Sequence, residues 1–257
     1  MVYAKKSLGQ HFLKDEDVAR NIVHTFLDHG SQEVVLEVGP GQGVLTKYLY
    51  AVNDINYLGV ELDQRMIPVL SKQFPLWQAK FINEDILTFD LTKAGSNQIN
   101  IIGNFPYNIS SQILFRVFEN KERVQQVLGM FQKEVAKRIV ADSGNKEYGI
   151  LSVLMQAFYS VSYLFDVAPN CFTPPPKVTS GVIRLIKKDH APAIYNEEQF
   201  RKLVKSGFGQ RRKTLRNSLQ HMISHLPFTK DPVFDKRAEQ LSVTDWIVLA
   251  NRIATIK

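Results

Sequence analysis

Between residues 34 and 131 the chain repeats one pattern, a short apolar run followed by a stretch with helical spacing. The runs are Val34-Val35-Leu36-Glu37-Val38, Tyr57-Leu58-Gly59-Val60-Glu61, Lys80-Phe81-Ile82-Asn83, Ile99-Asn100-Ile101-Ile102-Gly103 and Val124 to Phe131. Helical periodicity lies between them, as in Gly43 to Val52 and Ser110 to Glu119. Strands that alternate with helices are joined by crossovers, which implies βαβ units and a parallel sheet covered on both faces. The expected class is therefore α/β with a Rossmann-like sheet.

After Asp166 the texture changes. Phe172-Thr173-Pro174-Pro175-Pro176-Lys177 reads as a rigid loop, because proline fixes φ and removes a backbone donor. Val178 to Ile186 reads as a strand and Lys187 to Ala193 as a linker. From Glu197 onward apolar residues such as Phe200, Leu203, Val204 and Phe208 keep helical spacing. The reading is a cofactor-binding catalytic domain over 1–188 and a small all-helical domain over 189–257.

The loop Glu37-Val38-Gly39-Pro40-Gly41-Gln42-Gly43 follows the first predicted strand and precedes a predicted helix. Its glycines let the backbone turn tightly and approach a ligand closely. The dinucleotide fingerprint G-x-G-x-x-G is not met: the third glycine comes one residue early and Val44 stands in its place. NAD is disfavoured. The pattern E-x-G-x-G-x-G instead resembles the first motif of class I S-adenosylmethionine-dependent methyltransferases, although a plain structural turn has the same composition. The next strand ends favour the ligand site. Glu61 lies 22 residues after Gly39, a separation at which an acid can accept from ribose hydroxyls. Asp85 ends the third strand, where in the resembling fold an acid meets the cofactor's adenine amino group. Open α/β sheets bind ligands beyond the carboxyl ends of their strands. Each acid alone reads equally well as an exposed charge or a helix cap; their order is what selects the site.

Asn104-Phe105-Pro106-Tyr107 follows the fourth strand and resembles the N/D/S-x-P-aromatic signature of methyltransferases acting on exocyclic amines, adenine N6 in particular. The chemistry needs these residue types. An adenine amino lone pair is delocalised into the ring and is a poor nucleophile. The Asn104 side-chain oxygen can accept one N–H and the Pro106 carbonyl the other, which turns the lone pair toward a methyl donor. Tyr107 offers a flat face for the base. Positioning and electrostatics then carry catalysis without a strong base. An Asn-x-Pro turn with a packed tyrosine is the plainer alternative.

With these motifs in place the chain resembles the ribosomal RNA adenine dimethyltransferase family, of the KsgA type, over nearly its whole length. Lys6-Ser7-Leu8-Gly9-Gln10-His11-Phe12-Leu13, the Glu37 to Thr46 loop, Glu61, Asp85, Asn104 to Ser110, Lys133 to Arg138, Tyr148 to Val153, Phe172 to Ser180 and Phe208 to Leu219 match in order. The resemblance implies S-adenosylmethionine contacts at His11, Leu13, Gly39, Glu61, Asp85 and Asn104, with Gly41 in the same loop. His11 stands where many relatives carry asparagine; both can donate a hydrogen bond. Phe105 replaces a more usual leucine and is expected to pack. The resemblance places Phe172 on the face of the target adenine opposite Tyr107, as suits an enzyme that extracts a base; a core phenylalanine is the alternative. Lys177 meets either a phosphate or solvent. The implied reaction is dimethylation at N6 of two adjacent adenosines in the 3′-terminal hairpin loop of 16S ribosomal RNA, within the small (30S) ribosomal subunit, with a part in subunit biogenesis.

Charge bears on the partner. The net charge is +7, and Arg211, Arg212, Lys213 and Arg216 fall within six residues, with Lys202 and Lys205 upstream. Lys5, Lys6, Lys133, Lys137 and Arg138 add further cations. Such clusters favour a phosphate backbone and salt-dependent binding, against a merely solvated helix face. RNA rather than DNA follows from the resemblance only. One cysteine, Cys171, permits no internal disulfide or cysteine-rich metal site, and the six histidines lack H-E-x-x-H spacing, so no metal is expected. Lys5 and Lys6 precede no apolar segment of signal type, and no stretch of about 18 apolar residues could span a membrane. A cytoplasmic monomer is expected. Two rivals remain: a resistance methyltransferase acting on large-subunit (23S) ribosomal RNA, and an RNA-binding assembly factor whose catalysis is dispensable.

Overall fold

A computed structural model describes residues 3–29, 34–95 and 98–256. Its strands are β1 (Phe12–Leu13), β2 (Val34–Val38), β3 (Tyr57–Val60), β4 (Phe81–Ile82), β5 (Ile99–Asn104), β6 (Val124–Gln132), β7 (Tyr159–Val167), β8 (Phe172–Thr173) and β9 (Ser180–Lys187). Seven form one sheet in the order β4-β3-β2-β5-β6-β9-β7. The five strands expected from the apolar runs are parallel neighbours, and β9 pairs antiparallel with β6. All five residues of β2 are buried and β5 is buried except at its last residue, as a sheet covered on both faces requires. The order reverses between β2 and β5, which opens a crevice beyond their carboxyl ends. The α/β expectation and its Rossmann-like sheet hold.

The helices are α1 (Glu16–Leu27), α2 (Thr46–Tyr50), α3 (Met66–Gln73), α4 (Ser110–Glu119), α5 (Lys133–Val140), α6 (Ile150–Phe158), α7 (Glu197–Gly209), α8 (Leu215–Ser218), α9 (Gln220–Ile223) and α10 (Val243–Ala254). Asp15 caps α1 by accepting from the Asp17 and Val18 amides, and the helix turns Ala19, Ile22, Val23 and Phe26 inward. The helix expected from Gly43 begins only at Thr46, because the glycine turns occupy the first residues. No helix among the described residues is long and apolar enough to cross a membrane.

Two short strands lie outside the main sheet. β1 and β8 pair antiparallel, Phe12 with Thr173 and Leu13 with Phe172, and so tie the N-terminal segment to the proline loop.

The chain forms two compact units, Met1–Ala136 with Ser162–Lys187, and Lys137–Val161 with Lys188–Lys257. The contiguous division at residue 188 is corrected here: Lys137–Val161 joins the C-terminal helices. The cause is α6, which buries six of its nine residues and packs on α7 and α10. A helix apolar on most sides must be covered on most sides. Tyr148 adds an edge-on contact with Phe208, and Phe208 meets Trp246.

Candidate active site

The N-terminal segment, the glycine loop and the ends of β3, β4 and β5 line one cavity within the first unit. Gly39, Gly41 and Gly43 all have positive φ, at 66°, 57° and 83°. At Gly39 nothing lies within 4 Å of where a Cβ would stand, so the backbone opens directly onto the cavity. At Gly41 the same position faces the Phe12 ring at 3.3 Å, and at Gly43 it would strike Phe74 at 2.6 Å.

Glu61, expected as the last residue of its strand, follows the end of β3 directly and is buried. One carboxylate oxygen accepts the Gly41 amide at 2.8 Å and the other the Asp63 amide at 2.8 Å. Burial pushes its carboxyl upward in pKa, and these two amides oppose the rise. Asp63 in turn is held far below the usual carboxylate range by Arg65. It also accepts from Gln10 at 3.0 Å, which anchors the N-terminal motif over the cavity. Asp85 lines the same cavity and accepts the Leu87 amide at 2.9 Å. Leu62, 49% exposed, and Ile86 add apolar wall.

Glu37 enters the sequence pattern only as part of the loop, yet it is buried in the cavity wall. Thr46 and Tyr57 hydroxyls both donate to its Oε2 at 2.7 Å. Burial raises its carboxyl to about 7 against these bonds. A buried acid that is fully hydrogen-bonded on one oxygen braces the loop between β2, β3 and α2.

At the end of β5, Asn104 donates its Nδ2 to the His11 carbonyl at 2.9 Å. That bond fixes the amide orientation and leaves Oδ1 as the acceptor at the cavity wall. The Pro106 carbonyl accepts the Ile109 amide at 3.1 Å and keeps a second lone pair. Tyr107 shares a 2.6 Å hydrogen bond with Ser180, and burial raises its hydroxyl. The His11 ring stacks on Tyr107, with centroids 5.5 Å apart and planes 28° apart. His11 Nδ1 donates to the Pro174 carbonyl at 2.8 Å. His11, Leu13, Gly39, Gly41, Glu61, Asp85, Asn104, Pro106 and Tyr107 thus line one cavity.

Phe172 does not join them. Its ring is 1% exposed and lies in the core beside Leu13, its partner across β1 and β8. The expected second face for a base is corrected accordingly: strand pairing carries this side chain inward. Phe105 packs as expected, 1% exposed and edge-on to Phe131 at 5.1 Å.

In the second unit Arg211, Arg212 and Lys213 lie in a turn between α7 and α8, and Arg216 lies in α8. Arg212 and Lys213 are exposed. Arg211 donates to the Asn145 carbonyl at 3.2 Å. Arg216 is tied to Asp235 at 2.7 Å and to the Thr229 carbonyl, so its guanidinium braces two loops and is not the open contact expected of it. An isolated bridge between Thr214 and Arg237, with Leu215 donating to the Lys236 carbonyl at 2.8 Å, brings exposed Lys236 and Arg237 to the same turn. Sequence spacing gave no sign of that pairing. No group of three or more histidine, cysteine, aspartate or glutamate side chains that could hold a metal occurs among the described residues.

The strand order, and the glycines, acids and amide gathered at its reversal, define a class I methyltransferase. A dimethyladenosine transferase from Plasmodium falciparum has this fold, with a TM-score of 0.78 at 23% identity over 95% of this chain and 98% of its own. The 23S rRNA methyltransferase ErmE has it too, with a TM-score of 0.66 at 23% identity over 95% and 100%. Within that class the chain belongs to the ribosomal RNA adenine dimethylase family, which it matches over residues 1–255. It is 50% identical over 253 residues to ribosomal RNA small subunit methyltransferase A of Cytophaga hutchinsonii, covering 98% of both chains. It is equally similar to that of Flavobacterium johnsoniae, covering 98% of this chain and 96% of the relative.

Proposed function

We propose that the protein dimethylates N6 of two adjacent adenosines in the 3′-terminal hairpin loop of 16S ribosomal RNA, acting on the small ribosomal subunit as it matures. The observation that carries this reading is the orientation of Asn104: its Nδ2 is bonded to His11, so its oxygen faces the cavity as an acceptor. The Pro106 carbonyl supplies a second acceptor two residues on, and the two hold an exocyclic amine by both protons. Tyr107 carries the base on its ring. The residues that suit S-adenosylmethionine are Gly39 and Gly41 at the open glycine turn, Glu61 toward ribose, Asp85 toward adenine, and His11 and Leu13 from the N-terminal segment. When bound, that cofactor supplies an electrophilic methyl group. The amine loses its proton only after it has become acidic through methylation, so the site has no need of a strong base. Apolar Leu62 and Ile86 keep water from the cofactor's ring. Arg212 and Lys213 meet RNA phosphate, the protein works as a cytoplasmic monomer, and no metal takes part.

The test is incorporation of labelled methyl groups into unmethylated small subunits, followed by nucleoside mapping. The expected product is N6,N6-dimethyladenosine at two neighbouring positions of the small-subunit RNA. Label confined to large-subunit RNA, or none with a folded and cofactor-bound protein, would overturn the reading.

A further inference from the structure

We infer that Ser180 is a positioning residue that fixes the plane of Tyr107 and so the seat of the target base; this rests on the function proposed above. Tyr107 is held on two sides. The His11 ring covers one face, and His11 is itself tied to Pro174 and, through its carbonyl, to Asn104. A covered face stops the phenol tilting toward His11, but leaves it free to slide or tilt away. The hydroxyl end therefore needs its own anchor, and Ser180 provides it at 2.6 Å from a position 73 residues further along the chain. Ser180 is fully buried and cannot wander. It opens β9 opposite Gln132, and the Lys133 amide donates to the Thr179 carbonyl at 3.0 Å just before it. At Gly181 a Cβ would strike the Tyr163 hydroxyl at 2.5 Å and Ala136 at 2.9 Å, so the strand has no slack beyond it either. A hydroxyl on so fixed a backbone sets the ring's position and leaves only the face away from His11 for a base. Since Phe172 lies in the core, that single platform bears the stacking.

The measurement is single-turnover methyl transfer to small subunits, with cofactor affinity, for wild type, Ser180→Ala, Tyr107→Phe and the double variant. Loss of one hydrogen bond of this kind should slow transfer by roughly five- to tenfold. Both single variants should show that loss, the double variant no further loss, and cofactor affinity should stay within about twofold. A double-mutant cycle of this form reports coupling between the two hydroxyls, not general loosening. Transfer by Ser180→Ala within about twofold of wild type overturns the inference, as do losses that multiply or a matching loss of cofactor affinity. A second readout separates this from failure of the proposed function. In protein carrying carbon-13 tyrosine, the Tyr107 ring signals should shift or average in Ser180→Ala. Unchanged signals overturn the inference whether or not the wild type methylates RNA.

Discussion

At the scale of single residues, hydrogen bonds made inside the chain decide which atoms are left for a ligand. The place of Asn104 after a strand makes it a candidate amine holder, but which end of its amide faces the cavity depends on His11, 93 residues away. Asn104→Ala removes that acceptor and should lower methyl transfer by roughly a hundredfold or more, the scale of losing one preorganised partner of the reacting group, as read in single-turnover assays. A loss under tenfold would assign the holding of the amine elsewhere. Glu37 makes a different prediction. It titrates near 7 in the fold and at 4.5 as an ordinary glutamate. Between those values the folded chain holds the extra proton, so stability falls as pH rises through the window and levels off above it. Glu37→Gln keeps an acceptor for Thr46 and Tyr57 and removes the titration. The melting temperature of the variant relative to wild type should climb from pH 4.5 to 7 and then stay constant; a flat difference would show that Glu37 titrates normally. Phe172 departs from its expected place for a reason of the same kind: the prolines next to it suggest a loop surface, while a two-residue strand pairing decides its burial.

At the scale of elements, β2, β3, β5 and β6 were legible because inner strands are apolar on both faces and need no partner to be seen, whereas β4, at the edge, showed only as a short apolar run ahead of Glu84 and Asp85. β7 was not legible, because Tyr159-Ser160-Val161-Ser162-Tyr163-Leu164-Phe165-Asp166-Val167 lies at the sheet's edge and is partly exposed along its length. β1 and β8 are too short to carry any period. The glycine loop gives a paired prediction. Gly39→Ala meets only the cost of left-handed backbone, about 1–2 kcal/mol, and should weaken cofactor binding more than it lowers the melting temperature. Gly43→Ala adds a clash with Phe74 at 2.6 Å and should lower the melting temperature further. Equal melting temperatures for the two variants would show that Phe74 moves aside freely.

At the scale of the whole molecule, the division into units follows burial and not chain order. A contiguous boundary is the natural reading of a linker near residue 188, and α6 escapes it because a helix apolar on most sides gives no hint of which partner covers it. Charge behaves likewise: spacing found Arg211 to Arg216 but could not tell a strut from an open cation. Arg212→Ala and Lys213→Ala should each reduce the slope of log affinity against log salt by about one for small-subunit RNA, leaving the melting temperature in place. Arg216→Ala should do the reverse, lowering the melting temperature through loss of Asp235 and Thr229 while the slope holds. A salt slope unchanged by both Arg212→Ala and Lys213→Ala would move the RNA contact off this turn.

β9 runs against β6 and the strands parallel with it, so it presents its first residue where they present their last. A substitution scan of the whole chain, scored by methylation in cells, should register this direction. Tolerance should fall toward the ends of β2, β3 and β5, and rise along β9 from Ser180 to Lys187. The polarity of a strand would then be readable as a gradient of mutational tolerance.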